Sequence, residues 1–279
     1  MGLWQRLRAR WQAPAVLRAA PAIPDALWHE TLARWPFLAA ATPDSARLRA
    51  LADAFLAQKE FHGAHGLEVT DAMAVAIAAQ ACLPLLHLGP PAEALGWYDD
   101  FVGIVVHPGE AVARREFTDE SGVVHHYDEV LAGEAMERGP VMLSWPDVEA
   151  AGGPEAEGYS VVIHEFVHKM DMRNGPADGC PPLPPGFLGT SGPRAARAAW
   201  LAVLEPAHEA FREQVIIAER FGGAEPWLDP YGAESLSEFL PVACEAYFVR
   251  PARFAQEFPT LPPLFDAFFR PARHPLSNR

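Results

Sequence analysis

The stretch VVIHEFVHKMD, residues 161–171, decides how this chain is read. It holds His164-Glu165-x-x-His168. On a helix, residues four apart lie one above the other, with Cβ atoms about 5–6 Å apart. His164 and His168 then present two imidazoles to one point, a spacing that suits a single tetrahedral Zn²⁺. Glu165 projects to the side, where it reaches a metal-bound water rather than the metal, the place of a general base. Ile163, Phe166, Val167 and Met170 recur at i, i+3, i+4 and i+7, an apolar stripe for the core. The helix is therefore expected to be half buried, half presenting a polar site, and to end near Asn174-Gly175. A chain with this content of His and Glu shows H-E-x-x-H by chance roughly 0.03 times. The bland alternative is a pair of solvent-facing histidines on a surface helix.

Two histidines and a glutamate do not complete a zinc site. No Gly-x-x-His follows His168 closely, which disfavours a third histidine on the same segment. A glutamate from a later helix is the natural alternative. The candidates are Glu205, Glu209, Glu213, Glu234, Glu238 and Glu245. The first three lie on a long amphipathic helix, where acidic residues are the ordinary solvent face. Glu238 and Glu245 are seven apart on one face of the last long helix, among Phe239, Val242, Ala246 and Tyr247. A carboxylate in such company wants a metal or a charged partner. Ser235-x-x-Glu238 is also a capping box, so Glu238 has a purely structural reading. Spacing favours Glu238 over Glu245 only moderately. Tyr231, in the loop DPYGAES, could lean over a metal and stabilise an oxyanion, although a loop tyrosine is more often simply packed. Asp171, three residues past His168, is a candidate outer partner of that histidine or a helix-end group. His107, His125 and His126 lie in or beside strands and read as exposed strand histidines rather than a second metal site.

Bulk properties narrow the function. The chain has 279 residues, half of them apolar, and a formal net charge of −14. That balance argues against nucleic acid, whose phosphates need a basic surface. Lysine occurs only at positions 59 and 169, and arginine carries nearly all positive charge. The three cysteines, Cys82, Cys180 and Cys244, are widely spaced, which points to a reducing compartment rather than a disulfide framework. Cys82 and Cys244 sit in apolar helical patterns and are expected in the core. The start, MGLWQRLRARWQAP, lacks the apolar run of a secretory signal, and no segment is long and apolar enough to span a bilayer. Leu3, Trp4, Leu7 and Trp11 with their arginines fit a short membrane-surface helix, but a packing or frayed terminal helix is the favoured reading.

Along the chain, helices are expected over 27–38, 44–61 and 70–88, with a break at 63–66. Strands are expected over 101–108, 121–130 and 139–145, forming a small antiparallel or mixed sheet. Helices return with the motif helix, a long helix over 193–221 bending at Pro206, and another over 237–250. Residues 178–192 form a Pro/Gly loop. The aromatic tail, with Phe254, Phe258, Phe265, Phe268 and Phe269, is expected to pack on the body. The order helices, sheet, helices implies an α+β fold. It divides into an N-terminal segment (1–24) and one domain (25–279), the latter with a helical part (25–95), a small sheet (96–150) and catalytic helices (151–279).

These strings carry a family resemblance. HEFVHKMDMRNG, DGCPPLPPGF, DPYGAES and EAYF, with KEFHGAHGLEVTD, IAAQACLPLL, GWYDDFVGIVVHPGE and GPVMLSWPDV upstream, resemble the Mlc titration factor A family of zinc peptidases over about residues 25–270. The resemblance implies a zincin-type core similar to the anthrax lethal factor protease domain, a cytoplasmic protein, and one Zn²⁺ per chain. It matches His164, His168 and Glu238 to the metal ligands, Glu165 to the catalytic glutamate and Tyr231 to the catalytic tyrosine. It implies a peptide substrate and an Mlc-like transcriptional repressor as partner, with neither nucleic acid nor membrane. Pro241 departs from the family pattern, and the helix carrying Glu238 is expected to start near Ser237 or to kink. The competing function is a non-catalytic interaction protein that sequesters a transcriptional repressor.

Overall fold

The computed structural model describes residues 22–39, 44–109, 111–118, 124–131, 133–136, 139–153 and 158–271. The amphipathic stretch at the N-terminus and the side chains of His125 and His126 lie outside the described residues. Helices α1 (Asp25–Arg34), α2 (Pro36–Ala39) and α3 (Ser45–Gln58) open the chain, followed by strand β1 (Glu60–Gly63) and helix α4 (Asp71–Cys82). A short helix α5 (Pro91–Ala94) leads to β2 (Gly103–His107), β3 (Ala111–Thr118), β4 (Val124–Leu131), β5 (Gly133–Ala135) and β6 (Val141–Ser144). The remaining helices are α6 (Trp145–Ala150), α7 (Val161–Asp171), α8 (Pro193–Phe221), α9 (Leu236–Val249), α10 (Pro251–Glu257) and α11 (Leu261–Phe269). The protein is mainly helical α+β.

The sheet order is β1-β2-β6-β5. β1 and β2, and β2 and β6, are parallel, while β5 runs antiparallel to β6 at the edge. Parallel neighbours need a long crossover, and α4 provides the one between β1 and β2. β3 and β4 form a separate antiparallel hairpin. The sheet is thus mixed, but its strands differ from expectation. Residues 60–61, expected to end a helix, join 62–63 in pairing with 103–106 instead, since pairing with a neighbouring strand overrides local propensity. The helix expected over 70–88 ends at Cys82, because Pro84 has no N–H to extend it. The segment from Trp145 leaves the sheet as α6. β3 and β5 were not anticipated.

Helix α4 explains itself from its sequence. Thr70 caps it by accepting the Met73 N–H, and the run from Met73 to Cys82 is apolar on every side but for Gln80. Such a helix belongs in the middle of a core, and every one of those residues is buried. The motif helix α7 packs beside it. Its stripe of Ile163, Phe166, Val167 and Met170 is buried as expected, yet so are Lys169 and Asp171. The helix is enclosed almost all round rather than half exposed. Phe166 sits among Phe55, Tyr98 and Phe101 at centroid distances of 5.5, 4.9 and 5.9 Å. Helix α8 runs unbroken across Pro206. The tail packs as expected: Phe254, Phe265, Phe268 and Phe269 are buried around Tyr247 and Trp200. All three cysteines are buried and unbonded.

Candidate metal centre

Ser160 fixes where the motif helix begins. Its Oγ accepts the Ile163 N–H at 3.3 Å, the N-cap contact, and donates to Gln80 Oε1 of α4 at 2.9 Å. Its backbone N–H donates to Glu245 Oε2 of α9 at 2.5 Å. One capping residue therefore ties α4, α7 and α9 together.

Four residues into α7, His164 Nε2 and His168 Nε2 lie 3.1 Å apart. Glu238 Oε2, from the first turn of α9, is 3.1 Å from His168 Nε2 and 3.4 Å from His164 Nε2. Glu238 is in that first turn because Ser235 caps α9, its Oγ accepting the Glu238 N–H. The carboxylate turns to the histidines instead of closing the capping box. The start agrees with the expectation near Ser237: α9 begins at Leu236 and continues through Pro241, its sixth residue.

These three donor atoms fit a metal ion. Bonds of about 2.0–2.1 Å at tetrahedral angles set neighbouring donors about 3.3 Å apart, and the three observed separations straddle that value. The charges agree. Burial opposes a proton on His164, but the Glu238 and Glu245 carboxylates that accept its hydrogen bonds outweigh it and hold the imidazole well above its usual pKa. Glu238 feels burial too, yet the two histidines bring its carboxyl down to about 2. Two imidazoles ringed by carboxylates call for a cation.

The other glutamate candidates fall away. Glu205, Glu209 and Glu213 are exposed on α8, and Glu234 is exposed in the turn before α9. Glu245 is buried behind His164, with Oε1 2.8 Å from Nδ1. It holds the ring so that Nε2 faces the other donors, the carboxylate–histidine arrangement common at metal centres. Asp171 does not play that part for His168. Its Oδ2 instead accepts the N–H groups of Asp178 and Gly179 at 2.9 and 2.8 Å, anchoring the Pro/Gly loop. Gly179 has φ of +80°, and a Cβ there would lie 2.7 Å from Leu236 O, so only glycine fits between loop and α9.

Residues 4–270 match the family of glucose-regulated metallo-peptidases M90. The chain is 32% identical to Mlc titration factor A of Salmonella arizonae over 261 residues, covering 93% of this chain and 95% of that protein. It is 35% identical to Mlc titration factor A of Edwardsiella ictaluri over 263 residues, covering 94% and 91%. With the namesake from Enterobacter sp. it shares 33% over 251 residues, covering 88% and 87%.

The chain belongs to the M90 metallopeptidase family.

In this member, Glu165 is buried beside the donor set and wedged against the edge strand. A Cβ on Gly133 of β5 would lie 2.6 Å from Glu165 Oε1. Burial raises the Glu165 pKa, the nearby His164 and His168 pulling the other way. Tyr231 stands at the mouth of the site, its ring centroid 6.2 Å from that of His164. Asp229 sets it there by accepting its N–H at 2.9 Å. His107 is half buried rather than exposed, with its ring 5.7 Å from His65. Among the described residues, His164, His168 and Glu238 are the group with converging metal-ligating atoms.

Sequence reasoning missed Ser160 and Gln80, and treated Glu245 only as a rival ligand. The signal for Glu245 was present: a carboxylate between Cys244 and Ala246, two turns after Glu238, must be buried with a partner.

Proposed function

We propose that this protein is a zinc-dependent peptidase that binds one Zn²⁺ through His164, His168 and Glu238. The observation that carries the reading is Glu165: a buried carboxylate beside the converging donors, but not one of them. A purely structural zinc site has no use for a neighbouring base, and its fourth position would be closed by a protein ligand. When bound, the ion supplies Lewis acidity, which acidifies water and polarises a carbonyl. Glu165 takes a proton from the attacking water and returns it to the leaving amine. Its raised pKa suits both halves of that task. Tyr231 donates a hydrogen bond from its phenolic O–H to the oxyanion forming on the peptide carbonyl. Among the described residues β5 is the outermost strand of the sheet, next to Glu165, and an extended peptide can lie along it by strand addition. Residues 25–279 act as one zincin-like unit in this reading. The unbonded cysteines favour the cytoplasm, and no helix among the described residues is long and apolar enough to cross a membrane.

A second reading is that the chain sequesters a transcriptional repressor resembling Mlc, favoured by the name its relatives carry. One substitution separates the two. Glu165→Gln is expected to retain stoichiometric zinc while abolishing cleavage of short chromogenic peptides. Unchanged hydrolysis refutes the mechanism. Lost hydrolysis with an intact effect on repressor-controlled transcription makes sequestration the main function.

A further inference from the structure

The chain's two lysines, Lys59 and Lys169, bring their ammonium groups to the same ring. Lys59 Nζ lies 3.9 Å and Lys169 Nζ 4.7 Å from the Phe101 centroid. Lys59 reaches in from the end of α3 and donates to the carbonyl oxygens of Tyr98 and Phe101, the latter at 2.6 Å. The turn over 98–101 is thereby fixed to the helical layer. Lys169 reaches the same turn from the motif helix, pairing with Asp100 Oδ2 at 2.7 Å. Arg173, four residues on, pairs with Asp99 Oδ1 at 2.6 Å.

Lys169 makes one more bond, to Met136 O at 2.9 Å. Met136 directly follows β5, and its carbonyl also accepts the Gly139 N–H, closing the turn into β6. A fully buried ammonium is unfavourable unless its protons are satisfied. A leucine or methionine would fill the same space without that penalty. What the charge adds is a directed bond to the end of the edge strand, from the residue next to His168. At its other end that strand holds Gly133 against Glu165.

We propose that Lys169 is a positioning residue: its bond to the Met136 carbonyl sets β5 in the register and height that an extended peptide needs beside Glu165. The proposal rests on the peptidase reading and adds a consequence for substrate length. Peptides long enough to lie along β5 depend on Lys169, and short chromogenic substrates do not.

The test uses the full chain carrying Lys169→Met, and a second variant, Lys169→Met with Asp100→Asn. Removing both charges together avoids leaving the partly buried Asp100 carboxylate with only Arg173, 3.9 Å away, as partner, so the double variant stays folded where the single one fails. The expected result for either folded variant is at least tenfold faster amide exchange at residues 133–136, relative to the β2 amides of 103–107, in metal-free protein. With zinc bound, KM for an eight-residue peptide rises at least tenfold, while its kcat and the hydrolysis of a short chromogenic substrate stay within twofold. Unchanged exchange in β5, or equal losses on long and short substrates, overturns the proposal. If the wild-type protein cleaves neither substrate, the peptidase reading fails, and the exchange measurement alone decides the role of Lys169.

Discussion

Replacing Glu245 with glutamine isolates what the carboxylate behind His164 contributes. Glu245 accepts from two donors, His164 Nδ1–H at 2.8 Å and Ser160 N–H at 2.5 Å. A glutamine has one acceptor oxygen and one NH₂ group, and only two ways to sit. With its oxygen toward His164, the NH₂ opposes the Ser160 N–H. The start of the motif helix then loses a charge-assisted bond and gains an unsatisfied buried donor, a cost of about 1–3 kcal/mol. With its NH₂ toward His164, Nδ1 must become the acceptor. The ring proton then moves to Nε2, the atom that faces His168 and Glu238. Either arrangement weakens the metal site, and loss of such an outer partner typically lowers metal affinity about 10–100-fold. That corresponds to about 1.4–2.8 kcal/mol. Competition against a fluorescent zinc chelator reads the affinity directly, and circular dichroism checks that the helices persist. Affinity within twofold of wild type, in a folded protein, would show that Glu245 does not orient His164.

Two further outcomes follow from the same geometry. Gly133→Ala places a methyl group where Glu165 Oε1, Cγ and Cδ would be 2.6–2.9 Å away. The carboxylate must shift by several tenths of an ångström, so kcat is expected to fall about 10–100-fold with zinc content unchanged; full activity would place Glu165 elsewhere during turnover. Asp171→Asn tests a buried charge, since burial raises the Asp171 pKa to about 6, the loop N–H groups opposing. A carboxyl with a raised folded pKa holds its proton more tightly in the fold than in the unfolded chain, so its ionisation weakens the fold as pH climbs from about 4 to about 6. At pH 7 the penalty is present in full, at most about 3 kcal/mol, and the asparagine can still accept from the loop. In metal-free protein, urea midpoints should favour Asp171→Asn above pH 6, with the advantage gone below pH 4. An advantage that does not vary with pH would trace to packing instead.

The legible parts of this protein were those whose signal is local. The motif helix announces itself through a 3.6-residue stripe and two histidines four apart, and α4 through its unbroken apolar run. Ser235 and Thr70 mark helix starts in the sequence and cap them in the structure. The illegible parts were set by distant contacts. Residues 60–63 become a strand because 103–106 lie alongside. β5 is three residues long and contains no β-branched side chain, so nothing local marks it. The sequence marks Asp171 as a partner of His168 or a helix-end group and assigns Lys169 no role; both are buried because the 98–101 turn and the Pro/Gly loop close over them. Pro241 pointed to a helix start near Ser237, and α9 begins at Leu236. Its missing N–H leaves only the Ser237 carbonyl without a helical donor, and the Ser235 cap and the buried face of α9 hold the helix regardless.

Glu238 and Glu245 show why one helix face can carry two different roles. Seven residues put them on the same side of α9, two turns apart along its axis. α7 crosses that face, so His164 meets both carboxylates: Nε2 turns toward Glu238 and Nδ1 toward Glu245. Which glutamate joins the donor set is therefore decided by how far along α9 the crossing falls. Ser160 decides that, since its backbone N–H holds Glu245 while its side chain holds Gln80 of the central helix. A slip of one turn between α7 and α9 would carry both carboxylates out of reach of His164 and break the cap at once. The donor set and the start of the motif helix are thus held by the same few hydrogen bonds, and neither can shift without the other.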